Sequence, residues 1–378
     1  VNVLVLTGRF GMGHFSAAKT LAEEICAQFD DVNVTVQDIF DYTIGTAADK
    51  LYSAYALLAD KGAPIYNLYY KLGENQRGAV RPPFYHYFAA KLVQLMDAAQ
   101  PDLIVSTLPF CSQLVSRYKE REHSDIPLIT CITDVSSHRE WINPHTNVYL
   151  VACDSIRQSL IEKGVSPERI LISGIPVKEQ FHSALRAPRT GKRLLIMGGG
   201  LGLLPKSRSF YQGLNDLKGV TTTIITGNNH ELYQKLHGKY PHIEVVGYTD
   251  QVYRYMQQAD VVISKPGGIT LFETVFSELP ILVFAPFLQQ EVKNAGFIQK
   301  QQIGLVLPKK PQRCVAEIGR IMSDERQLRT LRQNVRRLKQ SVDPQAIVKT
   351  VSQYRTGTYR PGQPAAVSYP AAAQWVAQ

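Results

Sequence analysis

Hydrophobic positions along the chain cluster in short unbroken runs. They fall at residues 3–6, 32–36, 103–106, 128–132, 148–151 and 169–172 in the first half. In the second half they fall at 193–197, 222–226, 243–246, 261–263, 281–284 and 304–307. Runs this short, rich in Val, Ile and Leu, are the pattern of strands buried on both faces. Helical spacing fills the intervals, as at 15–29 and 155–163. Strand and helix in alternation predict parallel sheets covered on both sides. Late in the chain, Leu328, Leu331, Val335 and Leu338 recur at helical spacing, which predicts an amphipathic helix packed on its own domain.

The alternation is interrupted once. A Gly174-Ile175-Pro176-Val177 turn closes a first set of strands, and the polar, Pro- and Gly-containing stretch 183–192 then reads as a hinge. The predicted architecture is α/β: two doubly wound, Rossmann-like domains facing a cleft, at 1–182 and 193–342. A helical segment at 343–358 follows, and then a flexible Pro/Ala-rich tail at 359–378. A length of 378 residues suits two domains. Ligands of such sheets bind beyond the carboxyl ends of the strands.

Composition narrows the setting. Hydrophobic residues make up 44% and charged residues 20%, which describes a soluble globular protein. No apolar run approaches the ~18 residues that span a bilayer. VNVLVLTGRF lacks a basic leader and runs straight into a strand, so it does not read as a signal peptide. The 5 cysteines are scattered without CxxC spacing, an indication of a reducing cytoplasm and not of a zinc site. The net charge of +10 is uneven: residues 293–339 hold 12 Lys or Arg against 3 acids. Such a patch attracts nucleic acid, anionic headgroups or anionic small molecules. With no zinc-finger, RNA-binding or homeodomain pattern beside it, an anionic membrane surface is the expected partner and nucleic acid is not. Arg332, Arg336 and Arg337 are the charges expected to face it. In 61–91, Tyr66, Tyr69, Tyr70, Phe84, Tyr85, Tyr87 and Phe88 interleave with basic residues and a single acid, Glu74. Rings with basic neighbours suit the bilayer interface; the same pattern also fits a packed helical pair or RNA stacking.

Five strand ends carry the candidate chemistry. Thr7-Gly8-Arg9-Phe10-Gly11-Met12-Gly13-His14 follows the first strand and opens the first helix. An imidazole there suits proton removal from a hydroxyl near neutral pH; a capping or core histidine is the plain alternative. Thr133-Asp134 and His138-Arg139-Glu140-Trp141 follow another strand. Asp134 either orients His14, binds an acceptor or caps a turn, and Trp141 also fits a core position. Met197-Gly198-Gly199-Gly200-Leu201-Gly202 ends the first strand of the second half. Finally, Ser264-Lys265-Pro266-Gly267-Gly268 leads into a helix, where converging backbone N–H groups and the helix dipole make a site for phosphate oxygens. Thr270 and Glu273 stand at that helix start, with Glu273 expected in the first turn and within reach of a ribose hydroxyl pair. Gln290, Glu291 and Asn294 follow the next strand on one face of a helix start, placed for sugar hydroxyls.

The stretch 264–294 resembles the donor-binding signature of the glycosyltransferases that make glycosyldiacylglycerols. That family comprises processive diacylglycerol glucosyltransferases and monogalactosyldiacylglycerol synthases, with the lipid-linked peptidoglycan N-acetylglucosaminyltransferase a more distant relative. Gln289 stands where the family has a glycine, and Val135 where it has an aromatic. The resemblance implies the GT-B architecture and transfer of a hexose, glucose favoured over galactose, from a UDP-sugar to diacylglycerol with inversion. It implies His14 and Asp134 as catalytic residues, and His138 and Trp141 on the acceptor side. Gly13, Gly199, Gly200, Gly247, Tyr248, Gly267, Gly268, Thr270, Glu273, Gln290, Glu291 and Asn294 become the donor site. No Asp-x-Asp motif occurs, and neither a metal nor another cofactor is expected. The expected location is the cytoplasmic face of the cell membrane, as a peripheral protein. Another lipid-linked acceptor, or a non-catalytic UDP-sugar sensor at the membrane, are the alternative readings.

Overall fold

The computed structural model describes residues 1–10, 13–61, 85–182 and 191–358, the side chains of 56–61 excepted. The chain forms two compact units. One is Val1–Pro176 joined by the residues from Ser341; the other is Val177–Gln340.

The first unit is built on strands Asn2–Thr7 (β1), Asn33–Asp38 (β2), Leu103–Ser106 (β3), Leu128–Cys131 (β4), Val148–Val151 (β5) and Ile170–Ile172 (β6). They pair in parallel in the order β2-β1-β3-β4-β5-β6. Parallel neighbours demand crossovers, and these are the helices Gly13–Gln28 (α1), Ile39–Ile44 (α2), Ala47–Lys61 (α3), Tyr85–Ala99 (α4), Pro109–Glu122 (α5) and Asp154–Glu162 (α6). Alternate residues of β1 serve opposite cores: Val3 and Val5 pack with Leu21 and Ile25 of α1, while Leu4 and Leu6 pack with Leu92 and Met96 of α4. The strand order reverses between β1 and β3, so the ends of those two strands flank the switch point of the sheet, where ligands of this architecture lie.

The second unit repeats the plan with Lys192–Met197 (β7), Val220–Ile225 (β8), Ile243–Val246 (β9), Val261–Ser264 (β10), Ile281–Val283 (β11) and Gly304–Val306 (β12). Their order is β12-β11-β10-β7-β8-β9, all parallel, with the switch point between β7 and β10. Its helices are Arg208–Asn215 (α7), His230–Leu236 (α8), Val252–Gln258 (α9), Gly268–Phe276 (α10), Gln289–Lys300 (α11), Pro311–Ser323 (α12) and Glu325–Gln340 (α13).

The units divide between Pro176 and Val177, before the boundary expected at 182. The reason is local packing. Ser277 donates to the Phe181 carbonyl at 3.3 Å, and the His182 ring stacks on Phe276 at 4.2 Å. The segment 343–358, expected as a helix of its own, forms Ala346–Arg355 (α14) and returns to the first unit. Ala346, Ile347, Val348 and Val351 join the core around Val3 and Ile25, and Arg355 pairs with Asp31 at 2.8 Å. Most of the hinge-like stretch 183–192 and the tail 359–378 lie outside the described residues.

Candidate functional site

The first unit brings three strand ends to one side chain. His14 enters α1 just after the glycine-rich segment that follows β1. Its Nδ1 lies 2.9 Å from the carbonyl of Thr107, after β3, and 2.7 Å from the hydroxyl of Thr133, after β4. A carbonyl only accepts, so Nδ1 carries the proton and Nε2 is the basic nitrogen. Thr107 is itself held: its hydroxyl lies within hydrogen-bond distance of the His14 carbonyl, at 2.9 Å, and of the Thr7 hydroxyl, at 2.8 Å. Burial pushes the His14 imidazole below its ordinary pKa; the negative charge of Asp134 and the Thr107 carbonyl oppose that shift. His14 is therefore a neutral base at neutral pH. Asp134, for which orienting the ring was one of three readings, reaches it as a nearby charge, while hydrogen bonds to the ring come from Thr107 and Thr133.

The other residues of that stretch divide. Trp141 is buried, 3% exposed, and its ring stands 6.1 Å from the His14 ring. It is a core residue that walls the imidazole. His138, expected on the acceptor side, is 2% exposed and accepts from the Glu140 amide at 3.3 Å, capping the short helical turn Arg139–Trp141.

In the second unit the two glycine-rich turns flank the switch point. The one after β7 is folded hard against the turn after β8. A Cβ on Gly202 would stand 1.9 Å from the Thr226 carbonyl oxygen, and Asn228 donates to the Gly200 carbonyl at 3.0 Å. Beyond that contact, Gly199 and Gly200 have nothing within 4 Å of the Cβ position, so their backbone is open to close approach. Gly267 is likewise open and caps α10 with no side-chain bond, which leaves helix N–H groups for an anion.

α10 begins at Gly268, so Glu273 stands in the second turn and not in the first, where it was expected. Burial pushes its carboxyl up to about 7, against the charge of Lys178 and a hydrogen bond from Thr270. Lys178 escaped the sequence reading. Its signal was present in the Gly174-Ile175-Pro176-Val177 turn, which delivers the next residue to this helix. Glu291 pairs with Lys265 at 2.9 Å and accepts from the Phe287 amide at 3.4 Å. Asn294 donates to the Pro266 carbonyl at 2.8 Å, and its buried Oδ1 has no hydrogen-bond partner. Both were expected on sugar hydroxyls; these bonds clamp the glycine turn to α11. Gln290 is half-buried at the start of α11, and Gly247 leads from β9 to Tyr248, whose ring is 67% exposed.

The residues expected at a membrane fare unevenly. Tyr69, Tyr70 and Phe84 lie outside the described residues. Tyr85 packs against the core of α4, with the Arg117 guanidinium 4.7 Å from its ring centre, and Phe88 is buried. Arg332 is clamped to Asp260 at 2.8 Å on a half-buried face. Arg336 pairs with Glu278 at 2.7 Å but stays 60% exposed, and Arg337 is exposed.

Residues 14–177 match the family model for monogalactosyldiacylglycerol (MGDG) synthase, and residues 194–345 match that for the glycosyltransferase family 28 C-terminal domain. The chain belongs to this MGDG synthase and family 28 group of glycosyltransferases. A curated relative, the processive diacylglycerol beta-glucosyltransferase of Bacillus licheniformis, is 27% identical over 367 residues, 93% of this chain and 94% of its own. The crystal structure of Acinetobacter baumannii MurG superposes with a TM-score of 0.64 at 14% identity, covering 94% of this chain and 99% of its own. The spinosyn rhamnosyltransferase SpnG complexed with thymidine diphosphate gives 0.62 at 14%, covering 93% and 100%. The fold is GT-B.

For a family 28 glycosyltransferase the two units divide naturally. The MGDG synthase match begins at His14 itself, and the C-terminal-domain match takes in both glycine turns and Glu273. Thr107 went unassigned in the sequence because it has no motif of its own, and Thr133 was noted only as the neighbour of Asp134. Their signal was positional, at the carboxyl ends of strands beside the switch point.

Proposed function

We propose that this glycosyltransferase moves a hexose, glucose in preference to galactose, from a UDP-sugar to the free hydroxyl of diacylglycerol. The observation that carries the reading is His14. Its Nδ1 is fixed by Thr107 and Thr133, which assigns basicity to Nε2. Nε2 takes the acceptor proton, the acceptor oxygen attacks the anomeric carbon, and the bond to UDP breaks with its electron pair on the diphosphate. A single displacement inverts that carbon, so an α-linked donor yields a β-glycoside. The second unit receives the diphosphate at the N-terminus of α10 and along Gly199 and Gly200, with Thr270 and Glu273 toward the ribose. The name of the B. licheniformis relative favours glucose.

Association with an anionic membrane surface belongs to the same proposal, since diacylglycerol resides in a bilayer. Lys309, Lys310 and Arg313 are exposed at the start of α12, and Arg326 and Arg329 are exposed on α13. Among the described residues no helix is long and apolar enough to cross a membrane. The test is His14→Ala assayed for diacylglycerol-dependent UDP release. Turnover is expected to fall by about 10²–10⁴-fold, with UDP affinity unchanged; near-normal turnover overturns the assignment.

A further inference from the structure

Residues 8–10, which follow β1, are anchored far more heavily than a connection requires. Arg9 extends its guanidinium to three carboxylates on three elements: Asp38 at the end of β2 (3.3 Å), Asp41 in α2 (2.5 Å) and Asp49 in α3 (3.1 Å). Its Cζ also lies 4.8 Å from the centre of the Tyr52 ring. Asp38 is buried and already caps α2, accepting from the Phe40 and Asp41 amides at 2.9 and 3.2 Å and from Tyr52 at 2.7 Å. The neighbours of Arg9 are pinned to the same elements. A Cβ on Gly8 would meet Leu108 at 3.1 Å and Phe40 at 3.3 Å. The ring of Phe10 packs edge-on against Phe40, Tyr52 and Tyr55 at 4.9–5.0 Å.

We propose that Arg9 is a positioning residue for proton transfer: by locking residues 8–10 to α2 and α3, it limits where the chain can place His14, five residues on. The inference rests on His14 being the base. The imidazole is held through Nδ1 by Thr107 and Thr133, and a shift of the anchored residues would pass to it along the chain. Arg9 is the cation that joins Asp38, Asp41 and Asp49 in a single cluster; without it Asp41 and Asp49 lose their shared guanidinium nitrogen and repel. A planar fork serves several carboxylates in fixed directions, which a lysine does not.

Arg9→Met and Arg9→Lys should be made in the wild-type and His14→Ala backgrounds. Arg9→Met is expected to lower kcat by about 10–10²-fold, the worth of a misplacement near 1 Å, with the donor KM unchanged. Arg9→Lys should restore part of the loss. The acid limb of the rate profile should also move up toward the ordinary histidine value. Loosening hydrates a ring now enclosed by Asp134, the Thr107 carbonyl, the Thr133 hydroxyl and Trp141. In the His14→Ala background Arg9→Met should cost nothing further. An equal loss in both backgrounds, an unmoved acid limb, or wild-type kcat in Arg9→Met overturns this inference alone. Near-normal turnover of His14→Ala overturns the base assignment and this inference with it. If Arg9→Met does not fold, Asp49→Asn at an exposed carboxylate replaces it, with about a two- to fivefold loss expected, again absent in the His14→Ala background; a loss in both overturns the inference.

Discussion

His14 and Glu273 are both held where burial disfavours the charged form, and the two pH dependences that result can be read separately. For His14 the folded pKa lies below the ordinary histidine value. The base stays neutral through pH 7, and kcat/KM should fall only as pH drops below about 6.5. Asp134→Asn removes the charge that supports the imidazolium. It should move that acid limb to still lower pH, while an unmoved limb would take Asp134 out of the site. Glu273 has the opposite consequence. Its carboxyl is pushed up to about 7, and only the ionised form accepts two ribose hydroxyls. UDP affinity should therefore fall about tenfold between pH 8 and pH 6, and Glu273→Gln should remove the dependence, which calorimetry at the two pH values measures. His14 and Glu273 were legible because each follows a strand end marked by glycines. Thr107 and Thr133 were not: they lie 93 and 119 residues from His14 and meet it only in the fold.

Elements explain which of the patterned residues serve function and which serve packing. The glycines after β7 include one whose place is steric: Gly202 touches the Thr226 carbonyl, with φ +61°. Gly202→Ala should force the two turns apart, costing about 1–3 kcal/mol of stability, and should weaken UDP binding. A thermal melt together with a UDP titration checks both effects. Helix α13 was read correctly as amphipathic, since Leu328, Leu331, Val335 and Leu338 are all buried. Its charged face was legible only as a face. Periodicity marks which arginines point outward but says nothing of partners 72 residues away, such as Asp260 for Arg332. Arg332→Ala should therefore lower the melting temperature, leaving Asp260 without its ion pair, at about 1–3 kcal/mol once exposure is discounted. Arg326→Glu with Arg329→Glu should leave the melt unchanged and reduce binding to anionic vesicles. Equal vesicle binding by this charge-reversed protein and the wild type would locate the lipid contact elsewhere.

At the scale of the whole molecule, both sheets follow from one device used twice. Short apolar strands covered on both faces force helical crossovers, and the reversal of strand order leaves one point in each sheet where loops diverge. That is why two Rossmann-like units were legible from hydrophobic runs alone, and why the chemistry of each unit gathers at its switch point. The return of α14 to the first unit was not legible, because a short apolar helix records no address for the surface it covers. The product proposed for this chain is a glycosyldiacylglycerol. Purified protein should be given UDP-glucose, UDP-galactose and UDP-N-acetylglucosamine in turn, with diacylglycerol in anionic micelles, and the lipid analysed by mass spectrometry. The expected result is a diacylglycerol heavier by one or more hexoses from UDP-glucose, with UDP released only when diacylglycerol is present. Unchanged diacylglycerol with every donor, from folded protein that still binds UDP, would contradict the account.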